Sequence, residues 1–452
     1  MSKTLVIGTG ISGISAVNLL SAKGIQTVLF DGNDKLEISE IYAKLDRPED
    51  TSVYVGFLPK EAIDAIDSVV LSPGVPIDSP MVTELESMGK TILGEVELAY
   101  TYDRGKVLAI TGTNGKTTTT SLLGKIMQDE THNAFVVGNI GNPYTEAVLS
   151  TTKDSITVAE ISSFQLETIR TFAPKVSAIL NITPDHLNRH HTMEKYIEEK
   201  EKITRFQNKD DYVILNHADS ILKCFGEELI RNGNGPKTIF FDVTQELEEG
   251  LFLRGDIIMI RLNGEERELL KIGDMQIIGM HNVENAMAAI GMAYVYGVPA
   301  EHIVKSVKEF KAVPHRIEFI AEKKGVRYYN DSKGTNVDAA IKGINAMDRP
   351  TYLIGGGYDK GSTYDEWIEA FGGKVKKLIL IGQTKEKIAA CAGRHGFNDY
   401  LYAQSLEEAV GLCSSLAEEG EAVLLSPACA SWGMFKNYEE RGDIFRELVE
   451  KL

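Results

Sequence analysis

What the chain has little of narrows it first. Only four cysteines occur in 452 residues, at positions 224, 391, 413 and 429. None pairs at CxxC spacing, which excludes a CxxC zinc or redox motif and leaves no secretory disulfide framework. Reduced thiols are the expectation. No apolar run nears the roughly 18 residues of a membrane span, and the first apolar stretch lacks the basic n-region and small-residue cleavage site of a signal peptide. Positive charge is also short: 48 Lys and Arg stand against 65 Asp and Glu, a net charge of −17. That balance disfavours nonspecific binding to nucleic acid or an anionic membrane. Low-complexity segments and short-period repeats are absent. The expectation is a soluble cytoplasmic protein with no nucleic-acid or membrane partner, acting as a monomer.

What is present is an α/β rhythm. Apolar runs of four to six residues alternate with helical-period segments, as stacked βαβ units require, and the length suits several domains. Three are expected, over 1–95, 96–312 and 313–452. In the first, strands are expected at Thr4 to Ile7, Thr27 to Phe30, Ser52 to Val55 and Ser68 to Leu71. In the second they are expected at Lys106 to Thr111, Thr157 to Ala159, Val176 to Asn181 and Tyr212 to Leu215, followed by a small antiparallel appendage around Asn263-Gly264. The third restarts with strands at Arg327 to Tyr329, Thr351 to Ile354, Leu378 to Ile381 and Ala422 to Leu425.

Two glycine loops carry the strongest chemistry. "GTGISG" places Gly8, Gly10 and Gly13 between the first strand and a helix, with Asp31 after the second strand. That is a dinucleotide-binding opening, although another nucleotide-bearing ligand fits it equally. "ITGTNGKTTTT" joins a strand to a helix at Ile110 to Thr120, where backbone N–H groups and the helix dipole converge on phosphate. Lys116 supplies a cation there and Thr117 a hydroxyl for Mg2+. Ile110 occupies the place of the first glycine of a strict P-loop.

Later polar clusters sit at strand ends. Glu160 in "EISSFQLE" is suited to hold Mg2+ through oxygen. His186 and His190 in "NITPDHLNRHH" have i, i+4 spacing, but Leu187 replaces the glutamate of a zincin helix, so contact with a hard metal or a phosphate is the better reading. Lys200, inside the acidic run "EKYIEEKEK", reads on composition alone as a solvated helix lysine. Asn282 and Asn285 share a helical face that suits an adenine edge or, equally, an N-cap and a core amide. Arg316 follows Pro314, a plausible hinge, with the fork geometry that suits phosphate. "YYNDSKGTN" and "SPACASWGMFKNYEERG" gather polar groups behind two C-terminal strands, and Cys429 has no neighbouring base, so packing is its expected role. At this point an NAD-linked oxidoreductase and a non-enzymatic nucleotide switch both remain open.

GTNGKT, VGNIG, EISSFQ, TPDHLNRH, HNVEN, PHR, NDSKGTN and SPACAS, taken in this order over the whole chain, resemble the Mur ligase family, and most closely its D-glutamate-adding branch. SSFQ, NDSKGTN and SPACASW favour that branch over other Mur ligases and the folylpolyglutamate synthases. The resemblance implies ATP-dependent addition of D-glutamate to UDP-N-acetylmuramoyl-L-alanine through an acyl phosphate, in peptidoglycan precursor synthesis. It implies a Rossmann-like UDP-binding domain, a P-loop-type ATPase domain and a Rossmann-like C-terminal domain. ATP contacts would come from Gly112, Thr113, Asn114, Gly115, Lys116, Thr117, Thr118, Asn282, Asn285, Arg316 and Asp331. Two Mg2+ sites would draw on Thr117, Glu160, His186 and Lys200, the last as N6-carboxylysine, and Lys116, Glu160, His186 and Lys200 would be catalytic. The UDP substrate would meet Gly10, Ile11, Ser12, Asp31, Gly32, Ser72, Gly74, Asn139, Ser162, Gln165 and His186. D-glutamate would meet Lys333, Thr335, Lys360, Ser431, Trp432 and Tyr438. Asn188 and Gly433 depart from the family pattern, each standing where aspartate is common.

Overall fold

A computed structural model describes residues 3–139 and 142–452. Ile140 and Gly141 of the VGNIG motif lie outside the described residues. The chain forms two compact units, one of residues 1–271 with 284–307, the other of 272–283 with 308–452.

The first unit holds two sheets. One comprises β1 (Lys3–Ile7), β2 (Thr27–Asp31), β3 (Thr51–Val55), β4 (Ile66–Leu71) and β5 (Thr91–Gly94), all parallel, in the order β3-β2-β1-β4-β5. Its strands are apolar on both faces, as a sheet covered by helices requires. Leu5 and Ile7 pack into one cluster and Val6, on the opposite face, into another. That second cluster continues through Val17 and Leu20 of the helix Ile11–Ala22 to Tyr144, Val148 and Ile203, so the two sheets of this unit share one core.

The other sheet contains β6 (Lys106–Thr111), β7 (Ala134–Gly138), β8 (Ile156–Glu160), β9 (Val176–Ile179), β10 (Tyr212–Asn216), β11 (Lys237–Asp242), β12 (Gly250–Arg254), β13 (Ile257–Leu262) and β14 (Glu265–Lys271), in the order β14-β13-β12-β11-β10-β9-β6-β8-β7. The antiparallel segment is therefore an extension of the central sheet: β12 pairs with β11 in parallel and carries the β13–β14 hairpin outward. Asn263 and Gly264 turn that hairpin with φ of 54° and 80°, the left-handed pair such a tight turn needs.

The second unit has β15 (Glu318–Lys323), β16 (Val326–Asn330), β17 (Thr351–Gly355), β18 (Val375–Leu380), β19 (Tyr400–Tyr402) and β20 (Ala422–Leu425), in the order β15-β16-β20-β17-β18-β19. Only β15 runs antiparallel. Among the described residues no helix is long and apolar enough to cross a membrane.

The glycines of the opening loop serve different ends. A Cβ on Gly13 would stand 1.9 Å from the carbonyl oxygen of Gly8, and Gly8 itself has φ of 105° against Ser72. Both are required by helix–strand packing. A Cβ on Gly10, by contrast, would meet nothing within 4 Å. Gly13→Ala should therefore destabilise the fold by about 3 kcal/mol or more, whereas Gly10→Ala should leave thermal unfolding within about 0.5 kcal/mol of the parent; calorimetry of both variants checks the contrast.

Candidate active site

At the carboxyl edge of the first sheet, Gly10, Gly32 and Gly74 follow β1, β2 and β4. None has a positive φ, and at none would a Cβ meet another atom within 4 Å. The fold does not demand glycine at these three places, so their bareness is room for a ligand along neighbouring strand ends. Ile11 is 80 % exposed beside them. Thr9, Gly10, Ile11, Lys44, Asp46 and Glu146 line a cavity of about 490 Å³, within the range of ligand sites. Ser12, in the first turn of the helix that begins at Ile11, is half-buried there. Asp31 is already engaged: Oδ2 accepts from the N–H of Thr9 at 3.0 Å and its hydroxyl at 2.7 Å, and Oδ1 from the N–H of Asn33. Burial raises its pKa, but the bonds from Asn33 and Thr9 outweigh burial and hold the carboxyl below its ordinary value. Asp31 thus braces the loop.

The second glycine loop has the backbone of a phosphate cradle. Gly112 and Gly115 adopt φ of 148° and 85°, and a Cβ on Gly115 would collide with Oδ1 of Asn285 at 2.1 Å. The N–H of Thr113 donates to the carbonyl of Asn181, and Asn114 exchanges hydrogen bonds with the Asn181 amide. The helix Lys116–Thr131 then begins with Gly115 as N-cap and no side-chain cap, leaving its dipole for an anion. Thr117 is half-buried and Thr118 buried in that first turn. Lys116 folds over the loop, its Nζ 2.8 Å from the Gly112 oxygen and 2.9 Å from that of Thr113.

Lys200 reaches the same Gly112 oxygen at 2.8 Å. It is 1 % exposed and lies over the ring of Tyr196, 4.6 Å from its centroid. The solvated-helix reading of Lys200 is therefore wrong. Tyr196, Lys200 and Ile203 form a buried stripe of the segment, joined by the buried Glu199, while Glu194 and Glu198 are exposed. Tyr196 in turn shares a hydrogen bond with Thr113. Burial, and next the charge of Lys116, push the Lys200 amine well below the ordinary lysine value.

Glu160 ends β8 in a buried position. Its Oε1 accepts from the Asn139 amide at 2.9 Å, while Oε2 is buried without a hydrogen-bond partner among the described residues. An orphaned carboxylate oxygen costs free energy unless a cation or donor completes it, so the residues fit a hard dication. Ser162 and Gln165 form a capping box on the following turn, and Gln165 passes its amide to Oε1 of the buried Glu95 at 2.7 Å.

His186 and His190 part company despite their spacing. His186, with φ of 53°, is exposed, its ring edge-on to Phe164 at 4.9 Å. His190 is buried, with Nε2 2.9 Å from the Ser163 hydroxyl and Nδ1 3.6 Å from Glu167. Burial pulls its pKa to about 4, keeping it neutral and structural. Arg189, which the sequence did not single out, pairs with Glu167 through two nitrogens at 3.2 and 2.6 Å and donates to the carbonyl of Val75 at 3.1 Å. It ties the His186 turn to the loop that carries Ser72 and Gly74. Asn188 is exposed on the same short turn.

In the second unit, His315 and Ile317 flank Arg316 with φ of 65° and 47°, a strained path of the kind found at functional sites. Asn282 is buried in this unit and donates to the carbonyl of Ile278 at 2.8 Å, while Asn285, on the same helix Met280–Tyr296, is buried in the first unit. Asp331 accepts from the Ser426 hydroxyl at 2.6 Å, and burial raises its pKa to about 7 against the opposing pull of Ser426 and Arg316. Lys333 places Nζ 3.6 Å from the centroid of the Tyr438 ring, and the N–H of Thr335 donates to the Lys333 carbonyl. Lys360 lies over Trp432 at 5.5 Å, with Trp432 55 % exposed. Ser431 is buried at the head of that turn. Gly433 has φ of 83°, a left-handed turn that glycine takes without strain. Cys429 packs against the hydroxyl of Tyr364 at 3.1 Å.

The second residue that sequence reasoning missed is Arg441. It is fully buried and donates to the Ser332 hydroxyl and carbonyl at 2.9 and 2.8 Å and to the Cys429 carbonyl at 3.2 Å. It thereby locks the NDSKGTN and SPACAS loops together. The signal was available: Arg441, Phe445 and Val449 recur at i, i+4, i+8, placing a charge on the apolar stripe.

Comparison with known proteins accords with this geometry. Residues 2–94 match the Mur ligase MurD-like N-terminal domain, 110–293 the Mur ligase middle domain, and 315–429 the Mur ligase glutamate ligase domain. The UDP-N-acetylmuramoylalanine--D-glutamate ligase of Lachnoclostridium phytofermentans is 54% identical over 100% of this chain and 98% of its own. That of Lachnospira eligens is 52% identical over 99% and 98%. Among solved structures, the UDP-N-acetylmuramate-alanine ligase of Thermotoga maritima aligns over 100% of both chains with a TM-score of 0.61 and 17% identity. MurF of Acinetobacter baumannii aligns over 99% of this chain and 94% of its own, with a TM-score of 0.60 and 17% identity. Relatives this similar over its whole length establish that the chain belongs to the Mur ligase family.

Proposed function

We propose that this chain joins D-glutamate to UDP-N-acetylmuramoyl-L-alanine at the expense of ATP, in the cytoplasmic assembly of peptidoglycan precursors. The observation that carries the reading is the convergence of Lys116 and the buried Lys200 on the Gly112 carbonyl. A carboxylate is a poor electrophile until one oxygen becomes a leaving group. Phosphorylation of the alanyl carboxylate supplies that group, the D-glutamate amine attacks the acyl phosphate, and phosphate departs to leave an amide.

Three domains, 1–95, 96–312 and 313–452, divide the work. The first binds the UDP sugar with Gly10, Ile11, Ser12, Asp31, Gly32, Ser72 and Gly74, and Asn139, Ser162, Gln165 and His186 of the second reach the same substrate. Gly112 to Thr118 cradle the ATP phosphates, and Asn282, Asn285, Arg316 and Asp331 complete the ATP contacts. Lys333, Thr335, Lys360, Ser431, Trp432 and Tyr438 hold D-glutamate, whose two carboxylates call for cations and hydroxyls.

Thr117, Glu160, His186 and Lys200 would hold two Mg2+ ions, which neutralise developing charge on the transferred phosphoryl group. Lys200 joins that set as a carbamate: its neutral amine adds to CO2, forming an N–C bond and losing a proton. Two observations support this. The amine is already depressed by burial and by Lys116, and conversion to an anion replaces repulsion of Lys116 with attraction. The chain acts as a monomer.

Purified protein should release phosphate from ATP only when UDP-N-acetylmuramoyl-L-alanine and D-glutamate are both present. Silence with that pair, alongside turnover of another amino acid, sinks the assignment. Lys116→Ala should lower kcat by about 10²–10³-fold, and Gly10→Ala should raise KM for the UDP substrate at unchanged kcat. With ¹³C-bicarbonate, NMR should detect one protein-bound carbamate that is absent from Lys200→Gln; a signal that survives that substitution rules out carboxylation at Lys200.

A further inference from the structure

The second unit holds another convergence of donor atoms, on residues to which neither nucleotide nor glutamate has been assigned. The short helix Asp365–Glu369 packs against the helix Lys385–Arg394. Asp365 and Glu369 stand one turn apart on the first, and Cys391 and His395 one turn apart at the end of the second, so each pair shares a face. Nε2 of His395 is 2.9 Å from Oδ1 of Asp365, and its Nδ1 is 3.7 Å from Oε1 of Glu369. The Cys391 sulfur, a His395 ring nitrogen and an Asp365 carboxylate oxygen all lie within 4.8 Å of one another.

We propose that Asp365, Cys391 and His395 bind a borderline transition-metal dication of the Zn2+ type, with water as the fourth ligand. The donor set selects the class. A thiolate with an imidazole suits Zn2+ or Co2+, and neither Mg2+ nor Ca2+ favours sulfur or nitrogen. With bonds of about 2.3 Å to sulfur and about 2.0–2.1 Å to nitrogen and oxygen, ligand atoms around a tetrahedral ion stand roughly 3.3–3.7 Å apart. His395 and Asp365, 2.9 Å apart, need to open by a few tenths of an ångström, separations of up to 4.8 Å need to close by about 1 Å, and both residues reach solvent and can adjust around the buried Cys391.

Charge and orientation agree. On binding, the metal–sulfur bond forms as the thiol proton leaves for solvent, and thiolate plus carboxylate then neutralise the dication. Glu369 faces the opposite ring nitrogen of His395 and would fix the tautomer that presents Nε2 to the metal. Arg394 approaches Oδ1 of Asp365 at 3.4 Å, but its side chain is 62% exposed and can swing away.

The test uses the full-length protein, reduced, chelator-treated and titrated with Co2+ in anaerobic buffer. A thiolate-to-cobalt charge-transfer band should grow to saturation at one equivalent, with release of about one proton, and Zn2+ should displace it. Cys391→Ser should abolish the band and Cys224→Ser should keep it. Glu369→Gln should weaken binding by about 10–100-fold while preserving the band, and His395→Gln should weaken it further. Because His395 and Glu369 reach solvent, these two variants decide the matter even if Cys391→Ser fails to fold. No band at excess Co2+, a band that survives in Cys391→Ser, or unchanged affinity in His395→Gln would overturn the site. Ligase activity plays no part in the readout, so its outcome and that of the functional assignment are separate.

Discussion

The carbonyl oxygen of Gly112 accepts from two lysines at once, and much of the first unit follows from that. Lys116 and Lys200 each lie 2.8 Å from one atom, so their nitrogens are no farther than twice that from each other, in a place where Lys200 has almost no access to water. Two cations so placed repel in low dielectric, and the arrangement persists only if one gives up its charge or an anion arrives. Phosphate would satisfy it from one side and a carbamate on Lys200 from the other. Glu160 is as buried as Lys200 and keeps one oxygen without a hydrogen-bond partner among the described residues, and on the proposed reading a bound cation would complete it.

Around this centre the first two sheets are held by polar ties in addition to their common apolar core. Arg189 spans from Glu167 to the carbonyl of Val75, Gln165 reaches Glu95, and the Thr145 hydroxyl donates to that of Ser15 at 2.7 Å. Each links an element of the central sheet to a loop or helix of the first sheet. Of these, the part-buried Arg189–Glu167 pair contributes direction more than net stability. The effect of the three ties is to fix where the strand-end glycines stand relative to Glu160 and His186.

The sequence was most legible where local chemistry and global fold agree. Both glycine loops, the interior strands β1, β2, β4, β6, β8, β9 and β10 and the order of the motifs follow from runs of apolar residues broken by glycine. Four of the strands that went unread, β5, β7, β15 and β19, lie at sheet edges, where one flank has no partner and the continuous apolar signal of a buried parallel strand fades. β11 is interior but partly solvated along Lys237–Ile239. Lys200 misled for another reason. A run of glutamates and lysines looks solvated as a composition, and only the helical phase with Tyr196 and Ile203 reveals the buried stripe. Arg441 hid in the same way behind Tyr438, Glu439 and Glu440.

These two misread cations follow one rule. Each interrupts an apolar helical stripe, each donates to backbone carbonyls of a loop rather than to a carboxylate, with Arg441 adding the Ser332 hydroxyl, and each is depressed by burial, Arg441 to about 10. An ion pair would have satisfied the charge more cheaply. Aiming a cation at main-chain oxygens instead fixes the path of the loop itself: Lys200 holds Gly112 at the start of the phosphate cradle, and Arg441 holds Ser332 and Cys429, which stand beside Lys333 and Ser431. In both units, then, a buried basic side chain sets the path of a loop that carries proposed ligand-binding residues. A charged residue on the apolar face of a helix thus points to the neighbouring loop whose backbone it holds in place.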